Sequence, residues 1–96
     1  MKLDYMLGQD LGQELANPTK YSETLQKLIT ISLSRKEISE AFGEKRVSGQ
    51  LNRVLPKLIK DRLIEYTIPK VKNHPDQKFR ITKRGMIFLE LLKKQV

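Results

Sequence analysis

From residue 19 onward the apolar side chains change spacing, from helical to alternating and back to helical. Tyr21, Leu25, Leu28 and Ile29 follow helical spacing and predict a first helix over residues 20–31, weakened at its end by the β-branched run Ile29-Thr30-Ile31. Ser32 and Leu33 read as a short extended link. Ser34-Arg35-Lys36-Glu37 is a capping box, with Leu33 and Ile38 at the staple positions on either side of it. Ile38, Ala41 and Phe42 give that helix a buried face, and Gly43 suits the left-handed position just past its end. A helix this short must dock on something else to persist.

The next helix is expected over residues 45–61. At 100° per residue, Val47, Leu51, Val54, Leu55 and Leu58 share an arc of roughly 100°. Arg46, Gln50, Arg53, Lys57 and Lys60 share a second arc of roughly 80° on the other side, with Gly49 as a bare patch beside it. One face is built to be buried and the opposite face is cationic and almost free of acids. Pro56 interrupts the backbone ladder at a cost of about 3 kcal/mol. The apolar stripe stays in phase through Leu58, which favours one kinked helix; a break at Pro56 would take the lysines beyond it out of the stripe.

Residues 63–68 are rich in strand formers and end at Pro69. Residues 78–82 alternate, with Phe79 and Ile81 inward and Lys78 and Arg80 outward. The intervening loop, 70–77, holds the turn residues Asn73, Pro75 and Asp76 and gives the hairpin a long basic tip. Thr82 then caps a last helix on which Ile87, Phe88, Leu91 and Leu92 line one face and Lys93-Lys94 suit the C-terminal end. Helix, extended link, helix, helix and hairpin in that order predict a winged helix-turn-helix: mainly α with a small β-hairpin, comprising a three-helix core, a two-to-three-stranded wing and a C-terminal helix. Phe42 and Phe88 are assigned to the core, and Tyr66 and Phe79 to the core in preference to base-stacking platforms. The domain is placed at residues 19–96.

Residues 1–18 differ. Leu7, Leu11 and Leu15 recur every four positions, but Gly8 and Gly12 disfavour a helix and Asn17-Pro18 stops it, so a linker or flexible arm is expected, with a weak partner-binding helix as the alternative.

The formal net charge of +8 is unevenly spread. Residues 1–18 are net acidic, residues 44–62 carry six bases against two acids, and residues 63–96 carry eight against three. Such a face favours nucleic acid or another polyanion; its bland counterpart is a solvated surface. There is no cysteine and a single histidine, His74, so disulfides and thiolate sites are excluded, and no metal or cofactor is expected. The longest apolar run, Met86-Ile87-Phe88-Leu89, is far short of the roughly 20 residues of a membrane span. Asp4, Gly8, Gln9 and Asp10 interrupt any signal-peptide core, so a cytoplasmic chain with no membrane partner is expected.

No catalytic constellation or phosphate-binding glycine loop is present, and no enzyme activity is expected of these residues. Binding has a mechanism. A helix fits the major groove, and the second helix of a helix-turn-helix enters it. Arg46, Gln50, Asn52 and Arg53 occupy the half of the helix that meets base edges, while Ser48 and the helix start can hold phosphate. Lys57 and Lys60 continue the stripe, and Lys70, Lys72, Lys78 and Arg80 can follow the adjacent backbone or minor groove. Arg35 and Lys36 are read as solvating the short helix. The expected partner is double-stranded DNA, bound weakly and mainly through phosphates. The alternatives are a protein-interaction module, with the C-terminal helix as a homodimer or partner surface, and a stand-alone transcriptional regulator.

Residues 33–85 also resemble the C-terminal winged-helix domain of two related bacterial groups, the large Fic-family proteins and the ATP-binding proteins described as RecG-like or ATP-dependent DNA helicase-related. The likeness rests on Ser34-Arg35-Lys36-Glu37-Ile38, on Leu55-Pro56, on Leu63-Ile64-Glu65-Tyr66-Thr67-Ile68-Pro69 and on Gln77-Lys78-Phe79-Arg80-Ile81-Thr82. The Gly-Gln pairs near the start look like the linkers that precede that domain. The chain departs from the pattern at Arg62, where a small or polar residue is usual, and at Lys70-Val71-Lys72-Asn73, where the wing is usually Asp-Lys-Pro-like. The resemblance implies a domain of a larger protein whose ATPase, helicase or nucleotidyl-transfer activity lies elsewhere; no Fic or helicase motif occurs in this chain.

Overall fold

Thr19 opens the first helix, α1 (Lys20–Lys27), by accepting from the Tyr21 amide through its side chain. The computed structural model describes residues 19–95, and the expected linker at 1–18 lies outside them. The helix ends at Lys27, four residues before the sequence-based boundary. Leu28 is its cap, and the β-branched run beyond it turns away, leaving Ile29 and Ile31 exposed rather than buried on a helix face. Leu33 then makes an isolated antiparallel bridge with Phe79, exchanging both backbone hydrogen bonds at 3.1 and 2.8 Å.

The capping box forms as the sequence demands. The Glu37 amide donates to Ser34 Oγ at 3.1 Å and the Ser34 amide donates to Glu37 Oε1 at 2.8 Å, opening α2 (Arg35–Ala41). Phe42 caps its end, Gly43 follows at φ 75°, and the Glu44 amide reaches back to the Ser39 carbonyl in a Schellman turn. Ile38 is fully buried, but its partner on that face is Ser39; Ala41 is exposed and Phe42 only half-buried. The Phe42 ring lies instead under two ammonium groups, Lys20 Nζ at 3.9 Å and Lys27 Nζ at 5.1 Å.

The helix α3 (Gly49–Lys60) starts four residues later than the apolar period suggested, because Ser48 supplies the cap: its Oγ accepts from the Leu51 amide at 3.0 Å. Val47 still packs on the core, but from the connecting turn. The helix continues through Pro56, which sits on its exposed side where water can reach the unpaired Asn52 carbonyl. It ends in a second Schellman turn, with the Leu63 amide on the Leu58 carbonyl, the Arg62 amide on the Ile59 carbonyl, and Arg62 in the left-handed region at φ 61°.

Two short strands, β1 (Ile64–Tyr66) and β2 (Phe79–Ile81), pair antiparallel with Ile64 opposite Ile81 and Tyr66 opposite Phe79. Phe79 is buried and tilted against half-buried Tyr66 at 5.3 Å. The loop between them is organised by Gln77. Its side-chain oxygen accepts from the Ile68 amide at 2.9 Å, and its side-chain nitrogen donates to the carbonyls of Ile68, Val71 and Lys72. Thr82 donates to the Arg62 carbonyl and accepts from the Gly85 amide, which opens α4 (Lys83–Gln95). The buried face of α4 is Gly85, Phe88 and Leu89, with Leu92 packed beside them; Ile87, assigned to that face from its period, points outward at 51 % exposure.

One core joins these pieces. Leu25, Leu28, Ile38, Leu51, Leu55, Leu58, Leu63, Ile64, Phe79 and Phe88 are each almost fully buried, and a buried Leu or Phe contributes about 1.5–3 kcal/mol. Tyr21 stacks on Phe88 at 5.7 Å and 14°, closing α1 onto α4. Among the described residues, four helices and one antiparallel hairpin thus share a mainly helical fold, and none of them covers the outer side of α3.

Candidate nucleic-acid interface

The apolar stripe of α3 anchors it through Leu51, Leu55 and Leu58, so its opposite side must face solvent. Gln50, Arg53, Lys57 and Lys60 are all exposed there, within roughly 80° of arc. Among the described residues no carboxylate lies within 4.0 Å of Arg53, Lys57 or Lys60. The Arg53 guanidinium leans back along the helix over the bare Gly49, 3.6 Å from where a side chain there would begin. Lys57 marks the α1 side of this face, with its Nζ 5.0 Å from the Tyr21 ring; the Tyr21 hydroxyl in turn donates to Asp61. The Asp61 carboxylate is thereby engaged with a phenol rather than with the lysine one turn before it.

Three of the residues expected to join this face are placed differently. Arg46 is exposed but lies in the bend before α3, off the helical stripe, because the helix begins only at Gly49. Ser48 is the cap, so one lone pair of its oxygen is engaged by the Leu51 amide, and its hydroxyl proton is the donor left for a phosphate. Asn52 accepts from Arg35 Nη1 at 2.5 Å. Reading adenine takes both the oxygen and the nitrogen of that amide, so Asn52 cannot do so while Arg35 holds it. Arg35, for its part, does more than solvate α2: it ties the start of α2 to the middle of α3.

The hairpin cations divide into two sets. Lys70 and Lys72 are exposed in the loop with no carboxylate partner among the described residues. Lys78 pairs with Glu37 at 3.5 Å, and Arg80 pairs with Glu65 directly across the strands at 2.6 Å. Such half-exposed pairs are screened by water and weak, so a phosphate can compete for them, but their charge is locally balanced. Glu37 is held below the ordinary carboxylate range chiefly by the Ser34 amide hydrogen bond, with the Lys78 ammonium adding to it.

Among the described residues no three His, Cys, Asp or Glu side chains cluster as metal ligands. No described helix is long and apolar enough to cross a membrane. No family model matches the chain, and no curated protein or solved structure matches it. The chemistry of the face therefore rests on its own geometry: an exposed helix side with one amide and three cations, flanked by Arg35 and by two loop lysines.

Proposed function

We propose that this chain is a winged helix-turn-helix module that binds duplex DNA through α3, with the hairpin loop on the neighbouring backbone. The element order supports it: α1, the Leu33 bridge, the α2–α3 pair, the two strands and α4 follow the order of that fold. The observation that carries the proposal is the outer side of α3, where Arg53, Lys57 and Lys60 stand exposed with no carboxylate within 4.0 Å among the described residues. Most of the contact would be with phosphates, with Gln50 and Arg53 the side chains that can reach base edges. On the resemblance noted above, the module would serve as the C-terminal part of a larger RecG-like or Fic-type protein, and any ATPase, helicase or nucleotidyl-transfer chemistry would lie outside these residues.

Fluorescence anisotropy with a labelled 20-bp duplex at several salt concentrations tests it. Each phosphate contact contributes a slope of about −0.9 to log K against log salt. Arg53→Ala should weaken binding, and Lys57→Ala should flatten the slope by about that amount. Binding that is absent at low salt, or insensitive to salt and to Arg53→Ala, would favour a protein-interaction module.

A further inference from the structure

We propose that the cleft between the start of α2 and the hairpin loop binds a nucleotide, with its phosphate on Arg35, Lys36 and Lys72 and its base against Tyr66. The cleft has a volume of about 500 Å³, within the roughly 300–1,000 Å³ typical of small-molecule sites. Among the described residues three cations line it and no carboxylate does. Its floor is aromatic: Tyr66 is half-buried and backed by Phe79. Arg35 Cζ lies 6.0 Å from the Phe79 ring centre and Lys72 Nζ lies 6.0 Å from that of Tyr66. Both stand at the outer limit of a cation–π contact; Lys72 can turn to a phosphate at little cost, while Arg35, with Nη1 given to Asn52, offers its remaining guanidinium N–H groups.

The remaining polar groups sort into scaffold and donor. The Gln77 amide is taken up by the loop backbone, and the Ser34 and Glu37 amides by the capping box, so the loop and the helix start serve as fixed walls. His74 Nδ1 accepts from the Asp76 amide at 2.9 Å, which puts the proton of the neutral ring on Nε2 as a donor. Cations over an aromatic floor with one extra donor suit a planar base carrying a phosphate. Neither an uncharged planar ligand nor a bare anion would use both halves.

The nucleotide has two possible sources, a free nucleoside phosphate or an unpaired nucleotide at the end of a DNA strand. The Arg35–Asn52 hydrogen bond joins the cleft to α3, so a strand lying along α3 would have its end within reach.

Amide chemical-shift titration of the whole chain with dAMP, deoxyadenosine and inorganic phosphate tests the site. Titrating dAMP should move Arg35, Tyr66, Lys72 and His74, and each half-ligand should bind at least tenfold more weakly. Lys72→Ala, at an exposed loop position, and Tyr66→Leu should each weaken dAMP about tenfold. No shift at the cleft at millimolar dAMP, or an unchanged response in Lys72→Ala, would overturn the site. A duplex with a one-nucleotide overhang that binds more tightly than its blunt counterpart identifies a strand end as the source; equal binding identifies the free nucleotide. Failure of blunt-duplex binding alone counts against the α3 face and leaves the cleft standing.

Discussion

Replacing Gly85 with alanine should destabilise the protein, although in an ordinary helix the same change stabilises by about 1 kcal/mol. A Cβ built at Gly85 would stand 2.3 Å from the Leu63 carbonyl oxygen and 2.6 Å from Ile81 Cγ1, both far inside contact distance. The helix would have to move away from the hairpin by on the order of 1 Å in a closely packed interior. Such overpacking costs about 1–3 kcal/mol. The Leu63 oxygen also accepts from the Thr82 amide at 3.0 Å, and disturbing that bond adds about 1 kcal/mol. After the gain in helix propensity is subtracted, the net loss is about 1–3 kcal/mol. Gly49→Ala is the matched control: its Cβ would meet only Arg53 Nη1, at an ordinary 3.6 Å, so it should be neutral or stabilise by up to about 1 kcal/mol. Urea unfolding followed by circular dichroism reads both, and on heating each kcal/mol should move the midpoint by about 4–8 °C. If Gly85→Ala raised the midpoint as Gly49→Ala does, the close approach of α4 to the Leu63 carbonyl would be wrong.

Arg62→Gly should raise stability by about 1 kcal/mol in the same urea assay, because Arg62 holds the left-handed position that ends α3 and only glycine takes that conformation without strain. Thr24→Val should be neutral or stabilise by about 1 kcal/mol, since the Thr24 hydroxyl is buried with no hydrogen-bond partner among the described residues; a clear loss in urea would reveal a missed partner. Acidification should loosen the start of α2. A carboxylate whose folded value is lowered gives its full stabilisation above its unfolded value and loses it as the pH falls through the folded one, so Ser34 and Glu37 amide shifts should hold constant down to the ordinary carboxylate range and change below it.

What could be read in the sequence was whatever rests on neighbouring residues. The capping box and Gly43 set both ends of α2 because their partners lie within a few positions. The start of α3 was set too early because Val47 is in phase with Leu51, and periodicity alone cannot tell a packed turn from a helix; the Ser48 cap was the better signal. In Met86-Ile87-Phe88-Leu89 every position is apolar, so the choice between Ile87 and Leu89 depended on where Gly85 meets the hairpin. The roles of Gly85 and Gln77 depend on carbonyls distant in the chain or scattered around a loop, and no local pattern carries them. The cationic side of α3 was legible from its wheel. The balance at Arg80 could have been found by pairing the strands, which sets Glu65 opposite it; that at Lys78 could not, since Glu37 arrives from another element.

Amide chemical-shift mapping with a blunt duplex at low salt tests the DNA-binding face most directly. The largest changes should fall on Gln50, Arg53, Lys57 and Lys60, with smaller ones at Arg35, Lys70 and Lys72, and all should fade as salt is raised. Changes centred on Met86 and Ile87 of α4, or none at all, would contradict it.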